Sequence, residues 1–333
     1  MSRRSRTGSR PHARPRPRPR TRTRLLRWKA VAPASTSNLG PGFDCLGMAM
    51  ALPLSVTAER IPEGFRIARR GEGSDLALDP HRDPVLHAFR HLCRVAHEPV
   101  PTVALTIRSA IPVARGLGSS AAAIVAGLTL ANHWLGGRFG EDELLAEAIR
   151  LEGHPDNVAP SLRGGLILSM PLRRGGFEAL RLPSPRGVGI TLVVPEVRVS
   201  TKKARALLPK RIALHDAAAN TARALALLTI LASRRFDLLA DALVDVYHVP
   251  HRARLIPGYD DVTAAGRRAG AHGVTISGSG PTLLAFHAPG AGSRVGAAMV
   301  RAFARGGVPA RAIPGRIAAH GASARTLLET RNR

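Results

Sequence analysis

Apolar and polar residues alternate over 54–59 (LSVTAE) and 102–108 (TVALTIR), the pattern of two half-buried strands. After the second strand the period changes. Small and apolar residues run from 119 to 135, which predicts a helix, and 141–150 predicts another. Gly164-Gly165 lead into a strand at 166–170, and the Pro/Gly/Arg-rich stretch 173–187 reads as a hairpin or a domain joint. Beyond it the pattern predicts a strand at 189–194 and an Ala/Leu-rich helix at 216–232. A helix at 259–269, strands at 274–277 and 282–286, a helix at 292–305 and a strand at 310–313 complete the chain. That succession predicts an α+β fold, with helices packed on one face of each sheet. No internal repeat interrupts it.

Composition narrows the class. The 333 residues suffice for one large or two ordinary domains, and 44% hydrophobic content fits a soluble globular protein. Two cysteines, Cys45 and Cys93, make no disulfide framework, so a cytoplasmic protein is expected, with Cys45 a small buried filler. The longest clean apolar run, 121–131, is too short to cross a bilayer, which argues against a membrane role.

The formal charge of +26 is unevenly spread. Residues 1–29 hold eleven Arg and one Lys without an acid, contributing +12. Arg-Pro alternation at 14–20 favours a solvated, extended tail. The Arg3-Arg4 pair lacks the apolar region of an export signal. Nucleic acid is a partner only through this tail, by counterion release.

Candidate chemistry starts at 112–122, PVARGLGSSAA. Gly116 and Gly118 let the backbone curl and expose N–H groups to an anion, and Ser119 and Ser120 open the predicted helix at its positive end. No Lys follows either glycine, so a Walker loop is excluded. A Rossmann-type turn and a plain N-capped helix both stay open on this segment alone. Two more glycine-serine loops change that. Residues 33–47 read PASTSNLGPGFDCLG, and 270–285 read GAHGVTISGSGPTLLA, a strand, a glycine hairpin and a second strand. Three such loops, at the beginning, first third and end, point to one composite site.

Together these segments resemble the three signature motifs of the GHMP small-molecule kinases, whose members act on galactose, homoserine, mevalonate and phosphomevalonate. The homoserine kinase branch matches best: its first motif resembles PASSANLGPGFDALG, from which 33–47 departs only at Thr36, Ser37 and Cys45. EGHPDNVAPSLRGG at 152–165 and VPEVRVSTKKARALLP at 194–209 extend the likeness, which covers about 29–315. The resemblance implies two domains, an N-terminal one like ribosomal protein S5 domain 2 and a ferredoxin-like C-terminal one. The boundaries are a tail over 1–28, an ATP-binding domain over 29–185, a substrate-binding domain over 186–320 and a basic tail over 321–333. The implied activity is ATP-dependent phosphorylation of the side-chain hydroxyl of L-homoserine, on the route to threonine, by a protein that forms homodimers in some relatives. A kinase for another small alcohol and a non-catalytic nucleic-acid-binding protein on the same scaffold are the alternatives.

The resemblance also implies roles residue by residue. Pro112, Val113, Ala114, Arg115, Gly116, Leu117, Gly118, Ser119, Ser120, Ala121 and Ala122 take ATP, and Gly278, Ser279 and Gly280 lie near the transferred phosphate. Arg205 and Arg252 take the substrate carboxylate, Asp44 the ammonium group, and Asn38, Asn157 and Thr201 the rest of the amino acid. Mg²⁺ is assigned to Ser120 and Glu147, with Glu143 in reserve. Asn157 and Asp156 stand at the reacting hydroxyl; Asn cannot accept a proton, so alignment rather than a general base is expected to carry catalysis, with the adjacent Asp156 as the alternative base. His154 is read as stabilising its Gly-His-Pro turn. One departure concerns nucleotide binding: Asp83-Pro84-Val85 stands where relatives have Asn-Leu-Val.

Overall fold

The computed structural model of the chain describes residues 24–76 and 79–330. Two long strands, β1 (Arg24–Ser37) and β2 (Leu46–Arg60), pair antiparallel along nearly their whole length. β3 (Phe65–Gly71), α1 (Pro84–Val95), β4 (Val103–Ser109), α2 (Ser119–Trp134), α3 (Glu141–Glu152), α4 (Pro155–Arg163), β5 (Leu166–Pro171) and β6 (Phe177–Leu182) follow. The sheet runs β11-β1-β2-β4-β3, with β11 (Ser323–Thr330) at one edge, and β5 and β6 extend it from the first residues of β2. Alternation explains the assembly. Leu54, Val56 and Ala58 of β2 and Val103, Leu105 and Ile107 of β4 all turn inward, α2 and α4 pack against the sheet, and the buried face of α1 lies on α2. α2 carries ten buried residues among its sixteen, so it runs through the core rather than over it.

The second sheet is built from β7 (Gly189–Pro195), β8 (Ala271–Ile276), β9 (Leu283–His287) and β10 (Ala310–Gly315), all antiparallel in the order β10-β7-β9-β8. That order, with α9 (Tyr259–Arg268) and α10 (Gly292–Arg305) on one face, is the ferredoxin-like arrangement. α5 (Thr201–Ala206), α6 (Leu214–Ser233), α7 (Leu239–Ala242) and α8 (Val249–Arg252) are all inserted between β7 and β8. The period of two along β7 joins the halves: Ile190, Leu192 and Val194 enter the core shared with the first sheet, while Val193 packs beneath α9 and α10. The cleft described below lies where the halves meet.

Two boundaries differ from the sequence reading. Residues 24–28, assigned to the tail, start β1, and the supposed basic tail 321–333 holds β11. The two segments pair with each other, Arg24 opposite Thr330 through Val31 opposite Ser323. Charged residues stand among apolar ones in both segments, and each strand supplies the other's backbone partners. The call on residues 1–23 lies outside the described residues.

Removal of residues 321–333 therefore leaves the β1 edge unpaired. Thermal melting of the truncated protein should fall by about 5 °C or more, as expected for a loss of a few kcal/mol in a chain of this size; a true tail would leave the midpoint unchanged.

Candidate functional site

A cavity of about 300 Å³ opens between the two halves, and all three glycine-serine loops reach it. Their backbones are tied to one another. Ser35 N–H donates to the Leu117 carbonyl (3.2 Å), Gly278 N–H to Ser37 (3.1 Å) and Thr282 N–H to Arg115 (3.3 Å). The Ser277 hydroxyl is 2.7 Å from the Gly116 carbonyl oxygen and 2.8 Å from the Thr36 hydroxyl. With a single proton it donates to the carbonyl and accepts from Thr36.

On one side of the cavity stands the N-terminus of α2. Its cap is Gly118, held at φ 65°, which offers no side chain to the first-turn N–H groups. A Cβ at Gly118 would overlap Ser35 Oγ and crowd the Asn157 amide, so the position accepts only glycine. The result is a row of uncapped N–H donors at a positive helix end, flanked by the Ser119 and Ser120 hydroxyls, a ready anion site. Val113, Ala114, Gly116, Leu117, Gly118, Ser119 and Ser120 line it. Four other members of the expected phosphate loop do not. Ala121 and Ala122 are fully buried in the core because the helix has begun by then. Pro112 and Arg115 turn into a neighbouring polar pocket with Glu72, Asp75, Arg198 and Arg311. Burial and the nearby Arg198 cation lower the pKa of Arg115 there.

The expected metal carboxylate is corrected. Glu147 points away from the cavity, bonded to His91 Nε2 (2.6 Å) and Arg150 (3.3 Å), and Glu143 caps Gly140 N–H at the start of its helix. Glu152 faces the cavity instead and accepts from the Ser120 hydroxyl at 2.9 Å. Five residues along a helix turn the side chain by about 140°, so Glu147 and Glu152 cannot share a face. Burial raises the Glu152 pKa, with the Ser120 hydrogen bond opposing. The usable signal was the turn itself: Glu152 is the last residue before Gly153-His154-Pro155, which redirects the chain into α4.

That turn also delivers His154, Asp156 and Asn157. Asp156 Oδ1 bonds His154 Nδ1 (2.6 Å), which raises the His154 pKa and steadies the turn, and the His154 ring lines the cavity as well. The Asn157 amide is fixed in one orientation. Its oxygen accepts from the Ser35 hydroxyl (2.9 Å), and its nitrogen donates to Ser37 Oγ (2.9 Å) and Asp156 Oδ1 (3.3 Å). Ser35 and Ser37 belonged to the first motif but were not singled out in the sequence.

Two arginines also line the cavity. Arg205 of α5 pairs with Asp44 through two bonds, 2.8 and 3.0 Å, which raises the pKa of its guanidinium. Arg252 of α8 is 2% exposed, and it donates to the Gly278 carbonyl at 2.9 Å. Burial lowers its pKa, with the Arg205 charge acting in the same direction. Beside it His248 is buried, and burial lowers its pKa too. Its Nε2 lies 3.0 Å from the Gly40 carbonyl, so that nitrogen carries the proton and Nδ1 faces Arg252 as an acceptor at 3.5 Å. Asn38 reaches the cavity wall, but its amide is committed: it donates to the Gly278 carbonyl (2.9 Å) and accepts from Asp44 N–H (3.0 Å). It braces the loop that presents Asp44. Thr201 Oγ1 and Ser279 Oγ lie 3.4 Å apart across the mouth. Gly278 and Ser279 line the cavity, whereas Gly280 turns toward Ile256 and Ile276.

Two smaller expectations are also resolved. Asp83 caps α1, accepting from Val85 N–H (2.8 Å) and Leu86 N–H (3.2 Å), and is nearly fully buried, so its departure from the family pattern serves the fold. Cys45 is half-buried with its thiol pushed up to about 11 by burial, as a filler would be. Among the described residues no group of three or more His, Cys, Asp or Glu could hold a metal by itself, and no helix is long and apolar enough to cross a membrane.

Comparison with known proteins agrees with this geometry. Residues 83–165 match the family model for the GHMP kinases N terminal domain, and 224–305 that for the GHMP kinases C terminal domain. A homoserine kinase of Moorella thermoacetica is 44% identical over 281 residues, covering 83% of this chain and 92% of the relative. One of Parasynechococcus marenigrum is 43% identical over 285 residues, covering 84% and 90%. The crystal structure of homoserine kinase from Cytophaga hutchinsonii superposes with a TM-score of 0.80 at 31% identity, covering 90% of this chain and 97% of that one.

The Gly118 geometry is testable by paired substitutions. Gly136 has a similarly left-handed φ of 79° with no atom within 4 Å of a new Cβ. Gly136→Ala should cost only the backbone penalty of about 1–2 kcal/mol. Gly118→Ala should cost more, by about 1–3 kcal/mol of overpacking, in denaturant midpoints. Equal costs would show that Ser35 and Asn157 do not enclose the cap.

Proposed function

The chain belongs to the homoserine kinases, a branch of the GHMP kinases that transfers phosphate from ATP to an alcohol; on that premise we propose how its cleft phosphorylates the side-chain hydroxyl of L-homoserine, the step toward threonine. One observation carries the reading: a cation-anion pair, Arg205 with Asp44, lines the same cavity as the uncapped N-terminus of α2. A zwitterionic amino acid fits the first and a polyphosphate the second. Neither a sugar nor mevalonate brings the ammonium group that would use Asp44.

The substrate carboxylate is taken by the guanidiniums of Arg205 and Arg252, whose forks match its two oxygens. Its ammonium group is taken by Asp44. Without substrate, Asp44 and Arg205 neutralise each other, with side-chain exposures of 34% and 41%. A pair so exposed is worth about 0–1 kcal/mol, so its opening is no serious obstacle when two new pairs replace it. Thr201 and Ser279 close the mouth over the amino acid.

The γ-phosphate rests on the N–H groups of 116–120 and faces Asn157. Ser35, Ser37 and Asp156 hold that amide, which orients the hydroxyl without any rearrangement at the moment of transfer. The hydroxyl oxygen forms a bond to the γ-phosphorus as the bond to the β-phosphate bridging oxygen breaks, and ADP leaves. Asp156 Oδ1 is committed to His154 and Asn157, and a loose transition state needs no dedicated base: the hydroxyl proton passes to the transferred phosphoryl group or to water.

The donors at the phosphate end suit Mg²⁺. The Ser120 hydroxyl and the Glu152 carboxylate are hard oxygen ligands beside the anion site, with phosphate oxygens and water completing the shell. When bound, Mg²⁺ neutralises charge on the phosphates. Burial favours protonated Glu152, so proton and metal compete for it. The two unpaired cysteines and the ATP requirement support a cytoplasmic enzyme.

Steady-state kinetics test these roles. Arg205→Lys and Arg252→Lys should each raise KM for L-homoserine by about 10- to 100-fold, the loss of a charge-assisted bond, with KM for ATP little changed. Equal effects on both substrates would place the arginines elsewhere. The Mg²⁺ concentration for half-maximal rate should rise as pH falls through the raised Glu152 range. Glu152→Gln should raise it about 100-fold and flatten that pH dependence. Unchanged Mg²⁺ dependence in this variant would remove Glu152 from the metal.

A further inference from the structure

Between Gly42 and Asp44 the first loop presents an aromatic ring that the mechanism above does not use. Phe43 is half-buried. The Arg252 guanidinium lies 5.3 Å from its ring centroid and that of Arg205 lies 5.9 Å away. The His248 ring packs on it as well, at 5.4 Å and 30°. Both guanidiniums are within the range at which an aromatic face attracts a cation.

The need for such a ring follows from the charges. Arg205 has Asp44 as counter-ion. Among the described residues Arg252 forms no ion pair. It has the Gly278 carbonyl, a long contact to His248 Nδ1, and a buried Nε without a partner. Burial and the Arg205 charge both lower the Arg252 pKa, and only the charges of Asp44, Asp156 and Asp245 oppose them. The face of an aromatic ring carries negative charge density that takes no proton, so it steadies both cations without engaging a further N–H donor; the Arg205 fork is held by Asp44 until substrate displaces it.

We propose that Phe43 is a positioning residue: its π face holds the Arg205 and Arg252 guanidiniums ready for the carboxylate and thereby sets affinity for the amino acid. This rests on the reading that these arginines bind the substrate carboxylate. Phe43 acts through them and touches no reacting atom. The competing account makes the ring an apolar filler of the loop.

Fluorination separates the two, because it withdraws charge from the face of the ring with little change of shape. Full-length protein carrying mono-, di-, tri- and pentafluorophenylalanine at position 43 should show KM for L-homoserine rising step by step, to about tenfold at full fluorination. KM for ATP, kcat and melting temperature should stay near those of the unmodified protein. Phe43→Leu should match the fully fluorinated ring or exceed it, and Phe43→Tyr should restore most of the affinity. Phe177→Leu, on an exposed hairpin strand, serves as the control for losing a phenyl group. A KM that stays flat across the fluorinated series overturns the proposal, even if Phe43→Leu is impaired. Unmodified protein that turns over no L-homoserine would overturn the reading beneath it as well.

Discussion

The carbonyl oxygen of Gly278 receives two hydrogen bonds of 2.9 Å, one from the Asn38 amide and one from the Arg252 guanidinium. Through that single atom the first loop, the inserted helices and the last hairpin are fixed to one another. Ser277 continues the lattice to Gly116, and Ser35 and Ser37 continue it to Asn157. Every group expected to touch the amino acid is therefore held by residues from a distant part of the chain. The site is a product of tertiary structure, and it loses meaning when any one loop is taken alone. Backbone geometry shows the same constraint. Asn38, Leu39 and Asp44 all adopt positive φ, a conformation that side chains resist and that the surrounding bonds must impose.

Electrostatics explain why so much bonding is invested there. A buried guanidinium such as Arg252 costs several kcal/mol in desolvation unless polar groups surround it. Here the compensation comes from a carbonyl, a neutral imidazole, an aromatic ring and the nearby charges of Asp44, Asp156 and Asp245. The Arg252 fork thus stays available to a carboxylate brought from solution. At the start of α2 uncapped helix N–H groups play the converse part, offering positive potential without a side chain. The helix N–H groups and the two arginines supply positive potential, and Asp44, Glu152 and Asp156 supply carboxylates between them, a lining that suits a polyphosphate beside a zwitterion.

Much of this was legible in the sequence, for physical reasons that differ from element to element. Strands and helices with clear periods were found close to their observed limits, as at 292–305 and 166–170. β1 and β11 were missed because Arg24, Arg27 and Lys29 adjoin the arginine-rich segment and 323–330 shows no clean period of two, so the basic termini suggested tails. The loops of the cleft were legible because glycine and serine at fixed offsets have few other uses. Which side chain serves was less so. Glu147 and Glu152 lie on one helix, and only the phase of that helix relative to the cavity separates them. Asn38 matched its motif position, yet its amide is spent on backbone groups. Ser35, Ser37 and Phe43 act through neighbours far away in sequence, which no local pattern records.

The account turns on one pairing in a single cleft: a zwitterion held by Arg205, Arg252 and Asp44, and a polyphosphate held by the N-terminus of α2. The most direct measurement is ADP release by the purified protein with ATP and Mg²⁺, supplied in turn with L-homoserine, L-serine, L-threonine, mevalonate and galactose. Turnover selective for L-homoserine is predicted, because it joins the ammonium and carboxylate groups to a primary hydroxyl at the right reach. Turnover of mevalonate or galactose in its place would contradict the assignment of Asp44 and the two arginines, while leaving the fold intact.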